Sequence, residues 1–277
     1  MTGQRVGVVG AGYVGLTTAV CLAETEHDTV CVDVDRDKVD RLNAAVTLLD
    51  EPGLPFLLVR GLRSGDLRFT TDYSRLADRD VVFVCVPTPS ADDGSTDLGA
   101  VEAAIDSLAS ALRPGTVIAL KSTVPVGTTR AVAERLEGTG IRVVANPEFL
   151  REGHAIYDFR HPDRIIVGSD DDHAATTVAE MCGSRGAYTL RMSPESAELA
   201  KYASNAFLAV KISYANSLAA LCAKVGADVA ASALLAPTAP TLLPGISFYK
   251  ELHWSFVATQ AQPIDHIHFN ARGPPVA

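Results

Sequence analysis

Apolar and polar positions alternate in blocks over the first two thirds of the chain. Short runs rich in Val, Ile, Leu and Ala are typical of buried strands, and between them lie segments with helical periodicity. The predicted strands are residues 5–9, 29–33, 81–86, 117–121, 143–145 and 163–168, and the predicted helices are 13–24, 36–44, 98–112 and 128–137. This alternation predicts an α/β fold, a doubly wound parallel sheet with helices on both faces.

The pattern changes near residue 190. Residues 194–225 have the composition of one long helix, for which Ser193 fits the N-cap and Pro194 the first helical position. Neither helix nor strand periodicity persists in the Pro-rich residues that follow. We therefore predict a nucleotide-binding domain at 1–190, a connector helix at 191–229 and an irregular, divergent tail at 230–277.

Composition narrows the class of protein. A chain of 277 residues with 47% hydrophobic residues is long enough for a soluble protein with one large core or two domains. A net charge of -9 argues against binding to nucleic acid or anionic lipid. The five cysteines form no C-x-x-C pair, as expected for reduced thiols in a cytoplasm. The apolar runs are judged too short for a membrane span, and no signal peptide is predicted.

A glycine-rich turn carries the first functional signal. Gly10-Ala11-Gly12-Tyr13-Val14-Gly15 follows a predicted strand and opens a helix, the context in which G-x-G-x-x-G binds a dinucleotide. In such a turn Gly10 permits the bend, Gly12 lets the backbone approach a pyrophosphate, and Gly15 allows close packing of helix on sheet. A glycine-rich turn without a ligand is the alternative.

Asp33 closes the predicted second strand, where a carboxylate can accept hydrogen bonds from the adenosine ribose. An acid at this position repels a 2'-phosphate, so NAD is favoured over NADP, although the neighbouring Arg36 could accept such a phosphate. The sequence thus predicts a Rossmann domain that binds NAD.

Polar segments follow three further predicted strands. They are residues 86–89, 121–128 and 146–153. Because doubly wound folds bind ligands at the carboxyl edge of the sheet, these segments should surround the nicotinamide end of the dinucleotide.

Six motifs follow one another along the chain: GAGYVGL at 10–16, EPGL at 51–54, VPTP at 86–89, STVPVGT at 122–128, NPEFLREG at 146–153 and ELAKYASN at 198–205. Taken in this order, they resemble the UDP-glucose/GDP-mannose dehydrogenase family. The resemblance implies that a nucleotide sugar, with UDP-glucose favoured, is oxidised at its primary alcohol to UDP-glucuronate while two NAD are reduced. It also implies a role in polysaccharide biosynthesis and a homodimer formed through the connector helix.

The same resemblance implies roles for individual residues. Lys201 and Asn205, four apart on one helix face, would stabilise the developing oxyanion, while Glu148 and Thr123 would position a water for proton transfer. Cofactor contacts would come from Gly10, Gly12, Tyr13, Val14, Gly15, Asp33, Thr88, Thr123 and Glu152. The sugar site would be lined by Glu148, Phe149, Leu150, Arg151, Lys201 and Asn205. Taken singly, each has an ordinary alternative, such as a solvated helix lysine, an exposed acid on a turn or a capping threonine.

The chain also departs from the family. The family oxidises the aldehyde through a cysteine in a Gly-Gly-x-Cys-x-Pro-Lys-Asp segment, and these 277 residues contain no such segment. The resemblance is judged to stop near Val229, before a second Rossmann-like domain, so the chain is expected to be truncated and its activity impaired. Two alternatives therefore stay open: a non-catalytic NAD-binding or interaction protein, and a two-electron alcohol dehydrogenase.

His266 and His268 could share one strand face, but two ligands make a weak site and no metal is predicted.

Overall fold

The computed structural model describes residues 3–47, 49–183 and 187–229. The chain divides into two compact units, the first ending at Lys201 and the second beginning at Tyr202. The strands are β1 Arg5–Val9, β2 Asp28–Val32, β3 Leu67–Thr70, β4 Val81–Val84, β5 Val117–Leu120, β6 Arg142–Ala145, β7 Arg164–Gly168 and β8 Tyr188–Met192. The helices are α1 Tyr13–Glu24, α2 Arg36–Asn43, α3 Leu54–Ser64, α4 Gly99–Ala111, α5 Thr128–Arg135, α6 Ala155–Arg160, α7 Asp172–Cys182 and α8 Pro194–Val225, with a 3-10 turn at Tyr73–Leu76.

The first unit is built on one eight-stranded sheet with the order β3-β2-β1-β4-β5-β6-β7-β8. The first six positions in this order are those of a Rossmann fold, and these strands are mutually parallel, which confirms the predicted doubly wound architecture. β7 runs antiparallel to β6, through Ala145 opposite Gly168, and β8 is parallel to β7. Between β6 and β7 the chain forms only the six-residue helix α6, in place of a longer crossover helix that would return the strand parallel.

The central strands are buried on both faces because helices cover the sheet on each side. Val8 and Phe83 belong to one core cluster, while their neighbours Val9, Val82 and Val84 belong to another. Successive strand residues point to opposite faces, so the continuous apolar runs are what a doubly covered sheet requires.

Two strands and three α-helices were missing from the sequence-based prediction, namely β3, β8, α3, α6 and α7. α3 carries a proline in its first turn and begins after Gly53, so its sequence resembles a turn although proline is well tolerated there. β8 lacks any fully buried residue, and an edge strand of this kind has no apolar run to reveal it. The short elements were missed because their burial depends on partners distant in sequence.

α8 spans the predicted range and is 32 residues long. By length and mean hydropathy it is able to cross a membrane, so the expectation that every apolar run is too short is wrong for this helix. Its first two turns nevertheless bury Ala197, Glu198 and Lys201 within the first unit. Burial is concentrated at the start of the helix, since only 6% of its 18-residue apolar stretch is buried.

Asp80 connects the start of β1 with the segment before β5 at the amino edge of the sheet. Its carboxylate accepts hydrogen bonds from the Arg5 amide at 3.1 Å, the Arg5 guanidinium at 3.2 Å and the Arg113 guanidinium at 2.6 Å. Burial acts to raise the pKa of Asp80, but these donors outweigh it and hold the pKa below the usual 3.8.

A lowered carboxyl pKa stabilises the fold above the unfolded-state value, and this stabilisation is lost as the pH falls through the folded-state value. We therefore expect Asp80→Asn to be less stable than the parent protein at neutral pH, with the difference shrinking below about pH 3.8. Urea unfolding at several pH values measures this difference. A destabilisation that stays constant from neutral to acid pH would contradict it.

Candidate active site

The turn between β1 and α1 has space only for glycine at two positions. Gly10 has φ +95°, and a Cβ there would lie 2.5 Å from the Cys85 carbonyl oxygen. A Cβ on Gly15 would lie 1.8 Å from the Gly10 carbonyl oxygen. Gly12 is the N-cap of α1, and no side chain caps the first turn, which also lacks an acidic residue. The turn therefore offers backbone amides and the positive end of a helix to an anion.

Asp33 lies just beyond β2 and is 7% exposed. One oxygen accepts the Ala11 amide at 2.7 Å and the Lys38 ammonium at 3.0 Å, and the other accepts the Asp35 amide at 3.0 Å. The carboxylate thus holds the glycine-rich turn directly, which the sequence did not reveal. The cation in contact with it is Lys38, whereas the sequence had drawn attention to Arg36.

These features fit the adenosine and pyrophosphate portion of a dinucleotide. A Cβ at Gly10 or Gly15 would collide with backbone atoms, and the first turn of α1 has no side-chain cap. The buried carboxylate of Asp33 lies just beyond the end of β2. A carboxylate has about four acceptor positions, of which three are used here, so a ribose hydroxyl can bind by taking the remaining position or displacing Lys38.

The loops after β4 and β5 are joined by hydroxyl groups. The Thr88 hydroxyl donates to the Thr123 carbonyl at 2.8 Å, and the Ser122 hydroxyl donates to the Val86 carbonyl at 2.7 Å. Thr88 is buried and Thr123 is half-buried. Two of the predicted cofactor-binding residues are therefore brought together at the carboxyl edge of the sheet.

A buried lysine anchors the start of the 146–153 segment. Lys121 donates to the Asn146 amide oxygen at 3.0 Å, and the Asn146 amide nitrogen donates to the Ile166 carbonyl at 2.9 Å. Both side chains are almost fully buried. This chain of hydrogen bonds fixes the segment between β5 and β7.

Lys201 and Glu148 form a buried ion pair. The Lys201 ammonium lies 2.9 Å from Glu148 Oε1 and donates to the Glu148 carbonyl at 2.6 Å, and the two side chains are 9% and 13% exposed. The ammonium also lies 5.1 Å from the centre of the Phe149 ring. Residues 53 positions apart are thus assembled into one donor and acceptor pair.

Glu198 fixes the helix that carries Lys201. Its carboxylate accepts the Gly127 amide at 2.6 Å, the Thr129 amide at 2.7 Å and the Thr129 hydroxyl at 2.6 Å, and it is 3% exposed. A carboxylate at the N-terminus of α5 also interacts favourably with the helix dipole. Sequence reasoning gave Glu198 no role, although it stands in the ELAKYASN motif.

A small cavity of about 10 Å³ lies beside Lys201, lined by Ser122, Thr123, Thr129 and Glu198 among others. This is close to the smallest volume that holds one water molecule. Thr123 and Lys201 both line this cavity, whereas Glu148 is not among its lining residues.

The remaining predicted substrate residues differ in how their side chains are used. The centre of the Phe149 ring lies 5.1 Å from the Lys201 ammonium and 4.5 Å from the Arg164 guanidinium. The Leu150 side chain packs against the core, and the Arg151 guanidinium pairs with Asp158. Arg151 is therefore committed to a neighbouring carboxylate in this structure.

Val14, Glu152 and Asn205 are the remaining predicted site residues. The Val14 side chain is buried in the core, so any cofactor contact from this residue comes from its backbone. Glu152 is exposed. Asn205 is half-buried and lies one turn beyond Lys201, in the second unit, so its role in oxyanion stabilisation stays a prediction.

The thiols of the first unit are not activated nucleophiles. Burial raises the pKa of Cys21 and of Cys85 to about 12, and it raises the pKa of Cys31 and Cys182 as well. A reactive cysteine needs the opposite shift. The interpretation of these cysteines as buried core thiols fits their surroundings.

Comparison with known proteins identifies the family. Residues 4–183 match the model of the UDP-glucose/GDP-mannose dehydrogenase family NAD binding domain. The chain belongs to this family. Residues 195–249 match the family's central domain, so the match extends past Val229, where the resemblance had been expected to stop. NAD is the cofactor of this domain.

Individual relatives agree with this assignment. The chain is 42% identical over 236 residues to UDP-glucose 6-dehydrogenase YwqF of Bacillus subtilis, covering 83% of this chain and 54% of that protein. It is similar to a UDP-glucose dehydrogenase structure from Pyrobaculum islandicum, with TM-score 0.79 and 37% identity over 95% of this chain and 66% of the other. A GDP-mannose dehydrogenase ternary complex from Pseudomonas aeruginosa gives TM-score 0.81 at 30% identity, covering 93% and 65%. The chain spans about half the length of the curated relatives it matches.

Metal-ligating side chains do not cluster in the described part of the chain. Within residues 3–47, 49–183 and 187–229 no group of three or more His, Cys, Asp or Glu side chains is placed to hold a metal ion. His266 and His268 lie outside the described residues.

Proposed function

We propose that this chain carries the NAD-binding and alcohol-oxidising part of a nucleotide-sugar dehydrogenase, with UDP-glucose as substrate and UDP-glucuronate as the final product of the complete reaction. The observation that carries the proposal is the buried Lys201–Glu148 pair at 2.9 Å, on the same sheet edge as a glycine-rich turn built for a dinucleotide. Identity above 40% to UDP-glucose 6-dehydrogenases supports the choice of sugar.

The geometry suggests how the alcohol would be oxidised. Lys201 donates to two oxygens of Glu148 and has a third proton for a substrate oxygen. As the primary alcohol gives up hydride, the ammonium stabilises the charge that develops on that oxygen, and Glu148 accepts the alcohol proton directly or through water. When bound, NAD supplies the hydride acceptor. Thr88 and Thr123 are proposed to orient it, with Glu152 beside the nicotinamide.

Oxidation of the aldehyde to the acid requires a thiolate in this family's chemistry. Cys21, Cys31 and Cys85 are buried and Cys182 is half-buried, and burial raises the pKa of all four thiols. The cysteine-containing segment of the family is not in the sequence. We therefore propose that this chain performs the first, two-electron step, and that the second step depends on a thiol that the first unit does not provide.

The second unit supports self-association. Phe207, Val210, Tyr214 and Leu221 are exposed and recur at the spacing of one helix face. A stripe of this kind favours contact with another apolar surface. We propose that the chain forms a homodimer through the connector helix. We also propose domain boundaries at residues 190 and 229, and a cytoplasmic protein that acts in polysaccharide biosynthesis.

The stoichiometry of NAD reduction tests the proposal. With NAD and UDP-glucose, we expect the purified chain to form one NADH per sugar, measured by absorbance against a known amount of sugar. Two NADH per sugar would contradict the assignment of the thiols. NADH binding without any turnover would favour the non-catalytic alternative.

Lys201→Met keeps the length of the side chain but removes its charge. We expect it to lower the rate by about a thousandfold, since a charged donor to a developing oxyanion is lost. Lys224→Met, an exposed lysine near the end of the same helix, is the matched control and should leave the rate unchanged. Equal rates for Lys201→Met and the parent protein would exclude Lys201 from the chemistry.

A further inference from the structure

Tyr13 lies in the glycine-rich turn and also reaches the segment on the substrate side. Its hydroxyl lies 2.6 Å from the Arg151 carbonyl oxygen and 2.9 Å from Glu51 Oε2. These contacts join residues 138 and 38 positions apart in the chain. The first helical residue of the phosphate-binding turn is therefore connected to the segment that carries Glu148 and Glu152.

Glu51 is the buried centre of this connection. It is 3% exposed, and its second oxygen accepts the Ile156 amide at the start of α6 at 3.3 Å. From α6, Asp158 accepts the Arg151 amide at 3.0 Å and the Arg151 guanidinium. Arg151 is thus held from both its carbonyl and its amide.

Tyr13 acts as a donor in this arrangement. Burial raises the pKa of Tyr13 above its ordinary value, and the hydrogen bond to Glu51 raises it further. The phenol therefore keeps its proton at physiological pH and shares it between the two acceptors, which gives it no role as a base.

We infer that Tyr13, together with Glu51, is a positioning residue that couples the phosphate-binding turn to the 146–153 segment and so holds the nicotinamide half of the cofactor in place. This rests on the proposed function, in which Glu152 lies beside the nicotinamide. The pyrophosphate contacts use backbone amides, so they do not depend on the phenol.

Comparison of two ligands separates this role from a general one. NADH contacts both halves of the site, whereas ADP-ribose lacks the nicotinamide. In calorimetric titrations we expect Tyr13→Phe to weaken NADH about tenfold, the effect of one buried hydrogen bond, and to change ADP-ribose affinity less than twofold. Glu51→Gln should show the same selective loss.

Tyr157→Phe removes the hydroxyl group of an exposed tyrosine in α6 and is the matched control. It should leave both affinities unchanged. An equal loss of NADH and ADP-ribose affinity in Tyr13→Phe, or no loss of either, would overturn the inference. If one variant fails to fold by circular dichroism, the other gives the same comparison. Failure of the parent protein to bind either ligand would instead contradict the cofactor site itself.

Discussion

Asp33→Ala is expected to weaken NADH binding about 100-fold. The carboxylate accepts ribose hydroxyls in the proposed complex and already holds the Ala11 amide at 2.7 Å, so its loss removes charge-assisted hydrogen bonds from both ligand and turn. Each such bond contributes roughly 1.5–3 kcal/mol, which corresponds to about tenfold or more in affinity. Quenching of protein fluorescence by NADH measures the change.

Two further variants separate the causes of this loss. Asp33→Asn keeps an acceptor for the Ala11 amide but loses the charge, so we expect an intermediate loss of about tenfold and a reduced preference for NADH over NADPH. Asp37→Ala removes an exposed acid from the first turn of α2 and should bind NADH like the parent. If Asp33→Ala and Asp37→Ala bound NADH equally well, Asp33 would have no part in the site.

Glu198→Ala is expected to lower the free energy of unfolding by about 3 kcal/mol. The substitution leaves the amides of Gly127 and Thr129 and the Thr129 hydroxyl without their acceptor in a buried place. Unsatisfied buried donors cost about 1–3 kcal/mol each, partly offset when water enters the space. Urea unfolding followed by circular dichroism measures the loss.

Glu195→Ala is the matched control for this prediction. Glu195 lies on the same helix, one turn earlier, and its partner Arg130 is exposed. Because exposed ion pairs contribute little, its effect should be much smaller. A stability of Glu198→Ala equal to that of Glu195→Ala would mean that Glu198 does not fix α8 against α5.

Local sequence was enough to predict the cofactor turn. Gly10, Gly12 and Gly15 follow a strand and open a helix, and Asp33 closes the next strand, so each signal lies within a few residues of the element that it serves. The long helix α8 was predicted with its observed bounds because Pro194 and the composition that follows are likewise local signals.

The pairings across the site could not be predicted in this way. Lys201 meets Glu148, Glu198 caps α5, and Tyr13 meets Glu51 only because the sheet order brings distant loops to one edge. Buried acids and lysines in a motif show that polar partners are needed, since such groups are rarely buried unpaired, but the sequence does not say which partner is used.

The reversal of β7 was equally hidden. β7 pairs antiparallel with β6 through Ala145 and Gly168. This direction depends on the path of residues 146–153 and α6 between the two strands, and the hydrophobic periodicity of the sequence gives no information about that path. At the start of this strand the Arg164 guanidinium lies 4.5 Å from the centre of the Phe149 ring.

Calorimetric titration of the parent protein with NADH tests the central claim most directly. We predict saturable binding with one NADH per chain, because one glycine-rich turn with its adjoining carboxylate forms one dinucleotide site. Absence of binding heat at several temperatures, in protein that circular dichroism shows to be folded, would contradict the claim.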